Sequence, residues 1–504
     1  MIPVLRPGRN VWREVVAAEA GVIVDASDYY YGFYGAARQA RRSILISGWQ
    51  FDSGVQLVRG ADAPAGAEVR FLKFLDGLCD ANPALHICIL AWDFHMVFAG
   101  EREWMQRVYF HWMTNKHFHF RFDDAPVAGG SHHQKFVVVD GRLAFLGGMD
   151  VCESRWDDRC HRAVNPLRRS RGRPQKPYHD VQMYMAGVDA SAALEELFFE
   201  RWQRSGGTRP SLPAALPGGE THRQRGAIRF GAGPVALSRT DPREDGSTVR
   251  EVQRLFEDGI AAAERLLYIE TQYFSSVRMY DAVVARMRDT ARSRLQIVVI
   301  VNERAEALKE EIAVGLRQVK NIEGLRAVAA ETGHDLGCYY SVCAGASDNT
   351  FRATYIHSKV MAVDDRLLTV GSANFTNRSM GVDSELHASW EARDAGDGTL
   401  IRSIRRVRVS LLAEHTGLSG VRVVRRLARI DGLVRRLDEE AARPGARLLA
   451  HGPPTAIQRA ALSVVDPEDL PFDPGSSEAQ DQAGMTEPAD ERRERSWRRG
   501  RTAR

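Results

Sequence analysis

Apolar residues occur along this chain in short blocks that alternate between two spacings. In ARRSILISGWQF, Ile44-Leu-Ile46 is an apolar run of strand length, preceded by apolar positions at helical spacing through Tyr29–Arg41. Leu85–Leu90 and Phe118–Phe122 are further strand signals. The same order then returns. A helical pattern over Val249–Glu264 leads into Leu266-Leu-Tyr-Ile269, and Leu295–Ile300 and Cys338–Val342 follow. One series closes on HHQKFVVVDGRLAFLGGMD and the other on IHSKVMAVDDRLLTVGSAN. Ile46 to His133 spans 133 − 46 = 87 positions and Ile269 to His357 spans 357 − 269 = 88, so the chain reads as a duplicated unit.

Helix and strand signals alternating in this way predict an α/β fold in which each unit is a sandwich around a mainly buried sheet. Two helical stripes, Leu194/Leu197/Phe198/Trp202 and Ile401/Ile404/Val407/Leu411, have the spacing of core-facing surfaces. SGGTRPSLPAALPGGE carries the punctuation of a linker. The expected organisation is therefore a first lobe over 1–204, a linker over 205–235, a second lobe over 236–443 and an extension over 444–504. From about 475 the extension is polar, charged and short of apolar residues, which predicts disorder.

The chemistry is concentrated in H-x-K-x4-D, present twice as His133/Lys135/Asp140 and His357/Lys359/Asp364. On a strand, residues at i and i+2 share a face, so each His and Lys would project together while Gln134 and Ser358 point away. If the two sheets abut about a pseudo-two-fold axis, one such pair from each half meets its counterpart. That constellation suits a phosphodiester. The lysines hold the non-bridging oxygens and stabilise charge at phosphorus. One imidazole attacks while the other, protonated, gives its proton to the leaving alkoxide. These groups supply both nucleophile and charge, so no divalent metal and no cofactor is called for. His117, His119 and His132 lack further ligands at metal-site spacing and read as structural.

Composition sharpens this at one point. The chain has 69 Lys+Arg against 65 Asp+Glu and a formal charge of +4, which permits an anionic partner without requiring one. Only seven of the basic residues are lysines, and two of those seven lie in the duplicated motif. Arg155, Arg159, Arg162, Arg168, Arg169, Arg171, Arg173 and Lys176 crowd one loop. Two readings of that loop stand side by side, a solvated surface and a cleft mouth that engages phosphate-bearing interfaces. Six cysteines without C-x-x-C spacing suggest reduced thiols. No apolar run approaches the roughly 18–20 residues of a membrane span, and the N-terminus lacks an apolar core of signal-peptide length. The expected setting is cytoplasmic with peripheral membrane association, export as an effector remaining open.

These motifs resemble the phospholipase D superfamily, and the flanks GGMDVCESRWDD (147–158), PYHD (177–180), YIETQYF (268–274) and GSANFTNRSM followed by DSEL (371–386) are similar to its eukaryotic-type branch. The resemblance covers roughly residues 25–415. It implies a bilobal α/β fold with the site between the lobes, a covalent phosphohistidine intermediate, and hydrolysis or transphosphatidylation of phospholipids. Carried over by position, His133 is the nucleophile and His357 the general acid. Lys135, Lys359 and Asn374 hold phosphate, with Ser372 and Gly148 beside it. Asp180 and Glu385 match acids that hydrogen-bond the histidines, whereas Asp140 and Asp364 brace their loops. Asp150 stands where many bacterial members have Asn; a carboxylate there repels phosphate and receives no binding role.

The implied partners are a phospholipid surface and a water or alcohol acceptor. A monomer is expected because one chain carries both motifs. Cardiolipin-synthase-like transfer is the nearest alternative, although members of that group commonly carry N-terminal membrane helices. A nuclease is disfavoured because superfamily nucleases are often single-motif chains that dimerise. An inactive lipid-binding protein is disfavoured because it has no need of two intact motifs.

Overall fold

The computed structural model describes residues 3–64, 68–93, 109–110, 114–124, 127, 129–213, 224–304, 314–345, 352–464 and 473. The first half contributes β1 (Arg13–Val24), β2 (Ser43–Gly48), β3 (His86–Trp92), β4 (Phe118–Asp123), β5 (Phe136–Val139), β6 (Leu143–Gly147) and β7 (Val181–Ala186). The second contributes β8 (Ile228–Pro242), β9 (Leu266–Glu270), β10 (Gln296–Ile300), β11 (Asp335–Ser341), β12 (Val360–Val363), β13 (Leu367–Gly371), β14 (Glu385–Glu391) and the short β15 (Leu448–Ala450). Every residue of β2 and β9 is buried, which is why these strands read as continuous apolar runs rather than as alternation.

All of them belong to one 16-stranded sheet in the order β15-β11-β10-β9-β12-β13-β14-β8-β1-β7-β6-β5-β2-β3-β4, with Thr248–Arg250 pairing beside β8. Outward from the central β1–β8 pair the two series match strand for strand as far as β11 and β4, and β15 is added beyond β11. The lobes are therefore joined edge to edge. Antiparallel pairing from Arg13↔Leu237 to Val22↔Ile228 carries the sheet across the junction. The hydrophobic pattern did not announce β1, whose first half is partly exposed and weakly apolar.

Helices α1 (Ala26–Ala37) and α2 (Phe71–Ala81) pack into a core confined to the first half. Helices α4 (Glu251–Ala262), α5 (Val277–Arg288) and α6 (Leu316–Thr332) pack into its counterpart in the second. Helices α3 (Val188–Arg204) and α7 (Gly398–Thr416) share a third core that runs through both halves. It holds Leu194, Leu197, Phe198, Trp202, Ile404, Val407 and Leu411, while Ile401 is only partly buried. No described helix is long and apolar enough to cross a membrane.

Two boundaries differ from the expected ones. Strand β8 opens at Ile228, inside the stretch expected as linker, because its antiparallel partner β1 gives the weakly apolar segment IRFGAG a sheet edge to pair with. Within the expected extension, β15 pairs with β11 and lengthens the sheet, and a helix follows over Ala456–Val464. The part expected to be disordered, from about 475, lies outside the described residues.

Candidate active site

The two H-x-K segments do not lie on strands, as alternation suggested; they are extended lead-ins to β5 and β12. Each is docked by backbone bonds to the opposite half. The His133 N–H donates to Ser384 O at 2.9 Å, and the His357 N–H donates to His179 O at 2.8 Å. A two-residue parallel pairing of Tyr178–His179 with Tyr355–Ile356 fixes the second junction. The intervening residues turn inward: Gln134 donates to Glu385 O at 3.3 Å and Ser358 donates to Glu270 at 2.6 Å. The same-face argument thus survives without the strand.

Each imidazole is held by a carboxylate from the other lobe. His133 Nδ1 lies 2.9 Å from Glu385 Oε2, and His357 Nδ1 lies 2.6 Å from Asp180 Oδ2. Glu385 also accepts from the Ser379 hydroxyl at 2.7 Å and from the Ser372 hydroxyl, so Ser372 acts on the carboxylate. Asp180 accepts the Val181 N–H at 2.8 Å. A Cβ at Gly148 would come 2.3 Å from Asp180 Oδ1, so this glycine makes room for the acid.

The cations complete the cleft. Lys135 Nζ lies 3.2 Å from Asp150 Oδ2, while Asp150 Oδ1 accepts the Trp49 N–H at 2.8 Å. Lys359 donates to its own strand lead-in at His357 O and reaches Gln272 Oε1 at 3.4 Å. Gln272 Oε1 also accepts from Asn374 Nδ2 at 3.3 Å, which leaves the buried Asn374 Oδ1 without a hydrogen bond. A cavity of about 470 Å³ is lined by both histidines, Lys135, Asn374, Arg155 and Tyr355 among others. His133, Lys135, His357 and Asn374, which the sequence placed in one site, therefore face one space, and Lys359 reaches it through Gln272.

Asp140 and Asp364 lie away from it, at equivalent turns. Asp140 accepts backbone N–H groups of Arg41, Arg42 and Ser43 at 2.7–3.1 Å; Asp364 accepts those of Glu264, Arg265 and Leu266 at 2.7–2.8 Å. Both aspartates have φ near +55°, at 54° and 56°.

Electrostatics differ between the two imidazoles. Burial lowers His357 well below the usual histidine range, helped by Lys359, Arg155 and Lys135. Burial also raises Asp180 to about 7. In a 2.6 Å contact these shifts belong to the pair, which keeps one shared proton up to near neutral pH. Burial would raise Glu385 too, yet His133 and the two serine hydroxyls outweigh it and hold the carboxylate below its ordinary value. Burial lowers Lys359 to about 7.

The arginine-rich loop divides. Arg155 is stacked 4.8 Å over Tyr178 and lines the cleft, with its buried Nε making no hydrogen bond. Lys176 sits 3.6 Å above the Tyr355 ring. Arg159, partly exposed, pairs with Glu414 at 2.5 Å, and the buried Arg168 pairs with Asp157 at 2.8 Å. Arg169, Arg171 and Arg173 are exposed. Gln272 escaped the sequence reading as a site residue, and Arg155 entered it only among the loop residues offered for the cleft mouth, although both lie in the motif flanks GGMDVCESRWDD and YIETQYF.

The fold and the cleft define an α/β protein in which His133 and Lys135 of the first half and His357 of the second line one cavity, with Lys359 reaching it through Gln272. A family described as "Cardiolipin synthase, PLD-like domain" matches residues 257–398. Phospholipase D A of Dictyostelium discoideum is 25% identical over 478 residues, covering 78% of this chain and 35% of that protein. Phospholipase D alpha 3 of Arabidopsis thaliana is 23% identical, covering 75% of this chain and 61% of that one. Cardiolipin synthase A of Pseudomonas entomophila is 27% identical over 257 residues, 51% of this chain and 43% of the synthase. The chain thus spans less than two thirds of the length of these relatives. A phosphatidylserine synthase structure from Haemophilus influenzae superposes over 84% of this chain and 94% of its own, with a TM-score of 0.48 and 13% identity. Over about three quarters of its length the chain is thus similar to phospholipases D, and over half of it to a cardiolipin synthase.

Proposed function

We propose that the protein is a phospholipase D, which cleaves the distal phosphodiester bond of glycerophospholipids and passes the phosphatidyl group to water or an alcohol. The observation that carries this reading is the unequal pairing of the two histidines. Glu385, held below its ordinary carboxylate value, fixes the Nδ1 side of His133 and leaves its Nε2 side toward the cleft. The Asp180–His357 pair retains a proton near neutral pH. Groups whose environments push their proton affinities apart divide into base and acid.

His133 Nε2 attacks phosphorus, the bond from phosphorus to the head-group oxygen breaks, and His357 delivers its proton to the departing oxygen. His357 then takes a proton from water or an alcohol, whose oxygen attacks phosphorus and releases His133. Lys135, Lys359 and Asn374 hold the non-bridging oxygens throughout. The protein acts as a monomer at a phospholipid surface, because both pairs reside in one chain.

Vesicles of mixed phospholipids, incubated with the protein and a primary alcohol, should yield phosphatidic acid and phosphatidyl-alcohol by lipid mass spectrometry. His133→Ala and His357→Ala should each lower turnover by at least about 1,000-fold. Full activity in either variant, or no phosphatidyl product from any head group, would overturn the reading. The match to cardiolipin synthases supports one further arm of the same test. With phosphatidylglycerol as the sole lipid and alcohol, cardiolipin is the product of that alternative.

A further inference from the structure

A second cluster of ionisable side chains lies behind the cleft and takes no part in the reaction described above. Asp25, His161 and His179 come from the first half and Glu414 from the second, on α7; all four are buried. One oxygen or ring nitrogen from each lies within 4.8 Å of the others. His161 Nε2 is 2.9 Å from Glu414 Oε1 and 3.4 Å from Asp25 Oδ2; His179 Nδ1 is 2.7 Å from Glu414 Oε1 and 3.2 Å from Asp25 Oδ1. Four ligands around Zn²⁺ at about 2.0–2.1 Å stand about 3.3 Å apart. The four separations between a histidine nitrogen and a carboxylate oxygen, 2.7–3.4 Å, scatter about that figure.

Three further features point to an ion. Asp25 Oδ2 is buried, aimed into the cluster, and makes no hydrogen bond. The ring nitrogens on the far side of both histidines are already taken by carboxylates: His161 Nδ1 lies 2.9 Å from Asp157, and His179 Nε2 lies 3.2 Å from Glu270. Histidines that bind a metal with one nitrogen are oriented through the other in just this manner. A route of entry also exists, since a cavity of about 490 Å³ lined by Arg159, Ser410 and Arg447 reaches Glu414.

We propose that Asp25, His161, His179 and Glu414 form a four-coordinate site for a divalent transition-metal ion of the Zn²⁺ class. All four positions are filled by protein, so the site is structural and leaves no open position for a reacting water. It clamps the first lobe to α7 and fixes His179, the residue next to Asp180, which holds His357. Nothing in this proposal depends on the phosphodiester reaction, and its test uses no lipid.

Full-length protein stripped with a chelator and dialysed should bind one equivalent of Zn²⁺ by calorimetry, with Kd below about 1 μM. Co²⁺ in its place should show the intense visible bands of four-coordinate geometry. Asp25→Asn and His161→Gln should abolish those bands. Asp157→Asn, which reaches the cluster only through the far nitrogen of His161 and keeps an oxygen for Arg168 and the Tyr178 N–H, should weaken binding by about 10–100-fold while the fold stays intact by circular dichroism. The wild-type Co²⁺ spectrum decides the matter even if a ligand variant fails to fold. Absence of four-coordinate bands, or bands and affinity unchanged in the Asp157→Asn protein, would sink the proposal.

Discussion

A histidine becomes a nucleophile or an acid through what its far nitrogen touches. Here the two far partners differ by one methylene and by their surroundings: Glu385 receives two hydroxyls, while Asp180 receives a single backbone N–H and is pushed up to about 7 by burial. The acid form of the Asp180–His357 pair is therefore lost as pH rises through about 7, and Lys359, lowered to about 7 by burial, loses its charge over the same interval. Both effects have one sign: kcat/KM should fall on the alkaline side of neutrality. Asp180→Asn leaves His357 alone among Lys359, Arg155 and Lys135, which favour its neutral form. Turnover in that variant should drop about 10²–10⁴-fold, and the alkaline limb should move to lower pH. A limb that stays in place would show that Asp180 does not share the proton.

At this scale the sequence was partly legible. Spacing exposed His133, Lys135, His357 and Lys359 because each pair is local, two residues apart. The resemblance supplied Asp180 and Glu385, which no spacing argument could reach, since Glu385 lies 252 positions from its histidine. Gln272 was hidden for the same reason, and Arg155 was singled out only as one of the loop residues offered for the cleft mouth. The cluster around His161 and His179 was invisible, because its members are drawn from segments that meet only after folding.

Among elements, the equivalent turns after β5 and β12, which meet the lead-ins to β2 and β9, show what the motif aspartates do. Each closes the turn by gathering three backbone N–H groups and adopts a left-handed conformation that aspartate tolerates better than most residues. Asp140→Ala and Asp364→Ala remove those acceptors and strain the turn. Each should cost about 1–3 kcal/mol in denaturant unfolding, by similar amounts in the two variants. A change in lipid turnover without loss of stability would instead place these residues in the reaction. Continuous apolar runs located β2 and β9 because both faces are covered, whereas β1 went unread. Its pairing partner β8 begins inside a stretch rich in glycine, and polar residues on a partly exposed strand carry little signal.

For the whole molecule, the β1–β8 junction and the core shared by α3 and α7 make the lobes one folding unit even though the covalent connection between them is dispensable in principle. A chain cut between residues 213 and 224 should yield fragments that are insoluble alone. Expressed together, they should co-purify and regain activity, because each exposes the apolar face that the other covers. Independent solubility of either fragment would contradict the shared core.

The exchange of acids between lobes has a consequence for how such a chain tolerates change. A lesion at position 385 is felt at His133 and one at position 180 at His357, so damage in either half disables chemistry delivered by the other. The two repeats are reciprocal custodians, and neither can decay or be replaced alone. Any functional exchange of material between such halves would have to carry a histidine and the distant acid that serves it across the junction together.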